Sequence, residues 1–173
     1  AMSLSNKQRG VRKGIIIGIS ISLCVLVASV LIHPVSSATH VTFAHRIYLA
    51  VNVAIAPVVC LALSIAALAK HRFFTPTDID GSASSAGASE QAQILQSILQ
   101  NTLEQTVLAA FVYLFWAMLM PARFLAVLCS AALLFVFGRL LFALGYGKGA
   151  PARSLGFALT FFPTLLMLGG SLL

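Results

Sequence analysis

The residues best suited to chemistry form a polar stripe near the middle of the chain. They recur three to four residues apart and so share one face of a helix: Gln93, Ser97, Gln100, Asn101 and Glu104. A mainly apolar run follows, which indicates a helix that begins in water, passes a polar site and then enters lipid. A carboxylate close to hydrocarbon costs about 2.5–3.5 kcal/mol unless it is hydrated or paired. A simple aqueous extension of the helix explains the glutamines, but it explains Asn101 and Glu104 poorly.

A second polar set lies in the next apolar segment. Arg139, Phe142 and Tyr146 repeat at positions i, i+3 and i+7, again on one helical face. An arginine is costly against lipid, so we expect Arg139 to face other helices and to seek a partner. Glu104 is the only acidic residue within any apolar segment, and we predict an ion pair between the two. That pair would serve either a functional site or only the packing of two helices.

The third candidate is Arg153, which falls in the first turn of the last apolar segment. A cation there opposes the positive end of the helix dipole, so helix stability does not favour it. It is either an ordinary interfacial arginine or part of an anion pocket that includes Lys148 and free backbone N–H groups. Gly149 and its neighbouring glycines allow a tight turn before Pro151 starts the helix.

These residues must be positioned by membrane-spanning elements. The chain has 173 residues, of which 60% are hydrophobic and 9% charged, more apolar surface than one soluble core of this size can bury. Five segments have about the 20 residues that a helix needs to cross the hydrocarbon. We therefore predict an all-α integral membrane protein with spans at Gly14–Ile32, Ile47–Ala69, Ile98–Met120, Phe124–Gly145 and Ser154–Leu173.

The first span has an alternative interpretation as a signal peptide cleaved after Ala38. Its apolar run of nineteen residues exceeds the usual core of about 7–15 residues. We therefore favour an uncleaved helix.

The basic residues predict the orientation in the membrane. With five crossings, most of them fall on the side of the N-terminus, which the positive-inside rule makes cytoplasmic and which places the C-terminus outside. The net charge of +7 thus reflects topology and contact with anionic lipid, and we expect no nucleic-acid partner. The membrane would be a bacterial inner membrane or one of endoplasmic-reticulum type. The residues that set this bias are Lys7, Arg9, Arg12, Lys13, Lys70, Arg72, Lys148 and Arg153, against Arg46 and Arg123.

No metal site is expected. The three cysteines lie in apolar runs without paired spacing, and the four histidines lack ligand spacing. The linker 75–89 is rich in Ser, Ala and Gly and is expected to be mobile, with Asp78 and Asp80 simply hydrated.

Two motifs resemble the MAPEG family, the membrane-associated proteins of eicosanoid and glutathione metabolism. They are NTLEQ at 101–105 and GRLLFALGYGKGAPARSLGF at 138–157. The resemblance covers about residues 47–173 and leaves 1–46 as a basic segment, an extra helix and an external loop. It implies a four-helix bundle assembled as a homotrimer, with glutathione bound between neighbouring subunits near the cytoplasmic face.

The resemblance also implies roles for individual residues. Arg153 would be the catalytic arginine that stabilises the glutathione thiolate. Ser97 stands where better-characterised enzymes of the family have an arginine, which removes one expected partner of the glutathione carboxylates. Phe142 and Gln105 likewise replace tyrosines of the family or of leukotriene synthase. The glutathione-binding candidates are Asn101, Glu104, Arg139, Tyr146, Arg72, Lys148, Ser97 and His71.

Three functions are compatible with these residues. The first is a glutathione-dependent transferase or peroxidase acting on lipophilic electrophiles or lipid hydroperoxides. The second is a non-catalytic lipid-binding or scaffold protein on the same fold, since function belongs to sites and not to folds. The third is a small carrier that uses Glu104 and Arg139 as a proton relay.

Overall fold

The computed structural model describes residues 4–32, 41–80 and 87–172, and all regular secondary structure in these residues is helical. Each of the five long helices is long and apolar enough to cross a membrane. The chain is therefore a multi-pass integral membrane protein, and the predicted all-α fold with five spans is confirmed. The helices are α1 (Asn6–Ile32), α2 (Phe43–Phe74), α3 (Glu90–Leu119), α4 (Ala126–Tyr146) and α5 (Ala150–Ser171), with short 3-10 turns at Pro76–Asp78 and Ala122–Phe124.

Several helices extend beyond the predicted spans. Helix α2 begins at Phe43, before Ile47, so the expected boundary between residues 46 and 47 falls inside a continuous helix. Helix α3 begins at Glu90 and has 30 residues, which corresponds to a length of about 45 Å. Its first turns are the polar extension that the sequence indicates. Ala38, the position of the alternative signal-peptide cleavage, lies outside the described residues.

The core lies where α3 and α4 meet their neighbours. Tyr113 of α3 and Phe135 of α4 are almost completely buried, as are Ala109 and Leu128. The short turn between these two helices is stabilised by Trp116, whose indole N–H donates to the Phe124 carbonyl at 2.8 Å. Most of the apolar surface on α1 and α2 remains outside this core, as expected for helices that face lipid or another subunit.

Helices α4 and α5 approach each other through glycines. A Cβ atom at Gly156 would lie 2.3 Å from the backbone nitrogen of Phe142, and one at Gly138 would lie 2.8 Å from the Gly156 carbonyl oxygen. Small residues of this kind let two membrane helices approach backbone to backbone. The close contact brings the end of α4 beside the start of α5, which is where the predicted site residues lie.

Helix α1 packs against α5 by the same means. A Cβ atom at Gly14 would lie 2.1 Å from the Ser154 hydroxyl oxygen, and one at Gly18 would lie 2.3 Å from the Ala158 Cβ. Gly10 makes a similar contact with Pro151. The glycines recur every four residues and form one stripe, so the extra N-terminal helix is closely packed against the bundle.

Helices α2 and α3 are connected at both ends by polar contacts. At one end the Arg46 guanidinium donates to the carbonyls of Ala117 and Met120, at 2.6 and 2.7 Å. These carbonyls belong to the last turn of α3, where they have no partner within the helix. At the other end, Asp78 and Ser89 of the 75–89 connection form the second contact.

The second contact corrects an expectation from the sequence. Asp78 is not hydrated: its residue is only 6% exposed. It accepts hydrogen bonds from the Ser89 hydroxyl and from the Ser89 backbone N–H at 2.9 Å, and it lies 2.9 Å from His71 Nε2. The Ser89 hydroxyl, then its N–H, and then His71 hold the pKa of this carboxyl below its usual value, against the opposing effect of burial. Ser89 also caps α3 by accepting from the Ala92 N–H.

Candidate functional site

A polar cleft opens at one end of the bundle, where α1, α3 and α5 begin and α4 ends. Its volume is about 360 Å³, within the range of about 300–1,000 Å³ typical of small-molecule sites. The cleft brings together four of the predicted site residues, namely Ser97, Asn101, Tyr146 and Arg153. The complete lining is Val11, Ile15, Ser97, Asn101, Phe142, Tyr146, Ala150, Arg153, Ser154 and Phe157.

Helix α3 supplies the polar wall through the predicted stripe. Ser97 and Asn101 are one turn apart and both half-buried, so they lie one above the other on the same face. The Ser97 hydroxyl donates to the Gln93 carbonyl at 2.8 Å, within the helix. Its proton is therefore already engaged, and Ser97 offers the cleft only an acceptor oxygen.

The turn between α4 and α5 positions Arg153. Gly149 has φ 94°, a backbone conformation that favours glycine, and precedes the first turn of α5. The reversal places the Arg153 guanidinium over the Tyr146 ring, with Cζ 4.1 Å from the ring centroid. A cation over an aromatic face is attracted by about 0.5–2 kcal/mol, which limits the rotamers available to Arg153. Arg153 therefore lines the cleft, whereas Lys148, the other predicted member of the anion pocket, does not.

Arg139 lies directly behind the cleft and orients one of its walls. It is only 5% exposed, and it donates to Asn101 Oδ1 and to Thr160 Oγ1, both at 2.8 Å. Its Cζ lies 4.5 Å from the Phe142 ring centroid. Because an arginine has only donors, it fixes the Asn101 amide with its oxygen inward. The Asn101 NH₂ group is then directed to other acceptors, such as those of a ligand in the cleft.

The predicted ion pair between Arg139 and Glu104 is not formed within this chain. Glu104 is exposed on α3 and accepts a hydrogen bond from the Gln100 amide at 2.9 Å. Within the described ranges, the one salt bridge joins His71 and Asp78. The sequence correctly assigned Arg139 to the interior, but neutral oxygens of Asn101 and Thr160 meet it there. Glu104 lies on the same side of α3 as Asn101 but at its edge, where its side chain is exposed.

Three other predicted site residues lie outside the cleft lining. Lys148 is exposed in the α4–α5 turn. His71 is engaged by Asp78 and Ser89, and Arg72 donates to Gln96 Oε1 at 3.3 Å. His71 and Arg72 thus belong to the α2–α3 connection.

The structure also identifies lining residues that the sequence did not indicate. Val11 and Ile15 come from α1, and Ser154 and Phe157 come from α5. Thr160 does not line the cleft but holds Arg139. Its spacing from Arg153 and Gly156 along α5 is a signal that could have found it. The contribution of α1 had no such signal, because a glycine stripe predicts close packing without naming the partner helix.

A second cleft lies between α2, α3 and α4, with a volume of about 390 Å³ and a mainly apolar lining. Arg139 and Cys60 line it beside leucine, valine and alanine side chains. Arg139 Nε is buried without a hydrogen-bond partner among the described residues. Arg139 therefore separates a polar cleft from an apolar one. No group of three or more His, Cys, Asp or Glu residues in the described ranges is arranged to hold a metal ion, and His33 and His40 lie outside those ranges.

Comparison with known proteins agrees with the sequence motifs. The family model of the MAPEG family matches residues 46–173, which include α4, α5, α3 and nearly all of α2. No curated protein and no solved structure shows significant similarity to the chain. Helix α1 lies outside the matched range.

Proposed function

Since the chain belongs to the MAPEG family, we propose that it is a glutathione-dependent membrane transferase or peroxidase acting on lipophilic electrophiles or lipid hydroperoxides. The observation that carries the proposal is the position of Arg153. Arg153 lines a cleft of suitable volume, its guanidinium lies over Tyr146, and Ser97 and Asn101 line the same cleft.

Arg153 can activate a thiol because only the thiolate is a good nucleophile. A free thiol has a pKa near 8.5, so a small fraction is ionised at neutral pH. A guanidinium about 4 Å from the sulfur favours the anion by roughly 4 kcal/mol at an effective dielectric near 20, before desolvation is subtracted. Half of that lowers the thiol pKa by about one to two units.

The proposed reaction balances without a further cofactor. In conjugation, the thiolate sulfur attacks an electrophilic carbon, a C–S bond forms, and the leaving group departs with its electron pair. In the peroxidase reaction, the sulfur attacks a peroxide oxygen and the O–O bond breaks. An alcohol is released, and a second glutathione then converts the sulfenic acid to a disulfide and water. The adjacent bilayer supplies either substrate at high local concentration.

We further propose a homotrimer whose cytoplasmic face contains the cleft. The exposed Glu104 carboxylate supports assembly, because a neighbouring subunit would shield it from lipid at a depth where exposure costs about 2.5–3.5 kcal/mol. The basic residues of α1, α2 and the α4–α5 turn gather at the end that carries the cleft, next to anionic headgroups. The native mass of the detergent-solubilised protein measures the assembly directly.

The test of the proposed function is the thiolate absorbance of bound glutathione as a function of pH. We expect the wild-type protein at saturating glutathione to show a thiolate band with a thiol pKa below that of free glutathione. In Arg153→Gln the pKa should rise by about one to two units, and kcat/KM at neutral pH should fall about 10- to 100-fold.

Arg123→Gln is the matched control. Arg123 also lies over an aromatic ring, with Cζ 4.7 Å from the Phe124 centroid, but it is exposed near the opposite end of the bundle. The Arg123→Gln substitution should leave the thiolate band of bound glutathione unchanged. If conjugation persists in Arg153→Gln with the same pH profile, Arg153 is not the activating residue.

The apolar cleft favours a second candidate function, the binding of a lipid without catalysis. Its lining is almost wholly aliphatic, and Ser97 provides no cation for glutathione on α3. An unaltered glutathione spectrum, together with co-purification of lipid that Leu63→Trp in this cleft abolishes, would favour this function over catalysis.

A further inference from the structure

Helix α1 forms part of the polar cleft although it lies outside the family match. We infer that α1 supplies an apolar subsite in which Val11 and Ile15 contact the hydrocarbon part of the electrophile. The inference rests on the proposed function and deepens it, since it assigns the class of substrate and the residues that select it.

The cleft has two chemically different sides. Ser97 and Asn101 of α3 provide polar atoms to the cleft, which Arg153 of α5 also lines. Val11 and Ile15 of α1 provide only aliphatic carbon, and both are half-buried at the cleft. A tripeptide with carboxylates fits the polar side, whereas the α1 side suits an alkyl chain attached to the reacting sulfur.

The α1 side is placed close to the reacting position by the glycine contacts. Gly14 lies against Ser154, the residue next to Arg153, so closely that a Cβ would be 2.1 Å from the hydroxyl oxygen. Ile15 is adjacent to Gly14 in the chain. The aliphatic surface is therefore held at a fixed distance from the residue that would hold the thiolate, and this selects for an apolar group near the reactive carbon.

The opposite face of α1 connects this subsite to the bilayer. Ile16 is 56% exposed and Ile17 is 40% exposed, on a helix that is long and apolar enough to cross a membrane. A lipophilic substrate dissolved in the membrane thus meets α1 before it reaches the cleft. We expect elongated alkyl electrophiles, with the reactive carbon at one end, to be preferred over compact polar ones.

The experiment compares the binding of S-methylglutathione and S-hexylglutathione to the full-length protein by calorimetry. We expect the hexyl conjugate to bind the wild-type protein more tightly than the methyl conjugate. In the double variant Val11→Ala/Ile15→Ala this advantage should fall about tenfold, the effect of a few lost methylene contacts. The affinity for S-methylglutathione should stay within about twofold, because it depends on the polar side.

A second variant tests the subsite by adding side-chain volume to it. Ile15→Phe fills the subsite and should weaken S-hexylglutathione binding at least tenfold without affecting S-methylglutathione. Ile16→Ala, next to it on the exposed face, is the matched control and should change neither affinity.

The outcomes separate the inference from the proposed function. If the wild-type protein binds both conjugates and the variants keep the full hexyl advantage, the α1 subsite is wrong while glutathione binding stands. If neither conjugate nor glutathione binds, the proposed function fails and the subsite fails with it. Loss of the hexyl advantage only in the variants of Val11 and Ile15 supports the inference.

Discussion

Arg139 is a buried cation whose charge is shared among neutral groups. Its two terminal nitrogens donate to Asn101 and Thr160, and its face lies near Phe142. A hydrogen bond to a charged group contributes about 1.5–3 kcal/mol. Arg139 therefore links α3, α4 and α5 at the back of the cleft and orients the Asn101 amide.

Thr160→Val tests this arrangement at the level of one hydroxyl group. Valine keeps the shape of threonine but removes an acceptor of Arg139, so we expect the free energy of unfolding to fall by about 1–3 kcal/mol. Thr164→Val is the control, since that buried hydroxyl only donates to the Thr160 carbonyl within α5. Thermal unfolding in mild detergent measures both. Equal losses in the two variants would contradict a special role for the Arg139 contact.

At the scale of elements, we expect the stability of the α2–α3 connection to depend on pH. The lowered pKa of Asp78 means that its carboxylate stabilises the fold above the unfolded pKa, near 3.9. This contribution is lost as the pH falls through the lower folded pKa. We therefore expect the amides at 87–92 to lose hydrogen-exchange protection below about pH 4 in the wild-type protein.

Asp78→Asn removes this dependence. The variant should show weaker protection at 87–92 at neutral pH, and the protection should change little between pH 6 and pH 3. Asp80→Asn is the control, because Asp80 is exposed in the same connection. A pH profile of Asp78→Asn that matches the wild type would show that another group is responsible.

The contact between α4 and α5 gives a second prediction at this scale. In Gly156→Ala the new Cβ would lie 2.3 Å from a backbone nitrogen, so the helices must separate. We expect a loss of at least about 1–3 kcal/mol in unfolding free energy and a weaker affinity for glutathione. Gly169→Ala on the same helix meets nothing within 4 Å and should be neutral. The unfolding midpoints of the two variants, measured in parallel, test this prediction, and equal midpoints would contradict it.

The elements were more predictable from sequence than their contacts. The five spans follow from apolar length, and the polar stripe of α3 follows from helical spacing. The partner of Arg139 could not be predicted in this way, since a small rotation of α3 about its axis decides whether Asn101 or Glu104 faces Arg139. Asp78 looked hydrated because its flanking residues resemble a mobile linker, and only the fold brings Ser89 and His71 to it. The packing of α1 against α5 could not be predicted either, because the family resemblance does not include α1.

At the scale of the whole molecule, the charges predict how the protein sits in the membrane. We expect a reporter fused to the C-terminus to be active only on the outer side, and one inserted after Gly147 only in the cytoplasm. The reason is the excess of basic residues at the N-terminus of α1 and at the α4–α5 turn. Cytoplasmic activity of the C-terminal fusion would show that the orientation is the opposite of the predicted one, with the cleft at the outer face of the membrane.

The contact of Arg46 with the last turn of α3 has a consequence for the depth at which a ligand would be held. Together with the Asp78 contact at the far end, it opposes sliding of α3 along α2, so Asn101 is held at one height relative to α2. A ligand in contact with Asn101 would thus be held at one depth relative to the same helix.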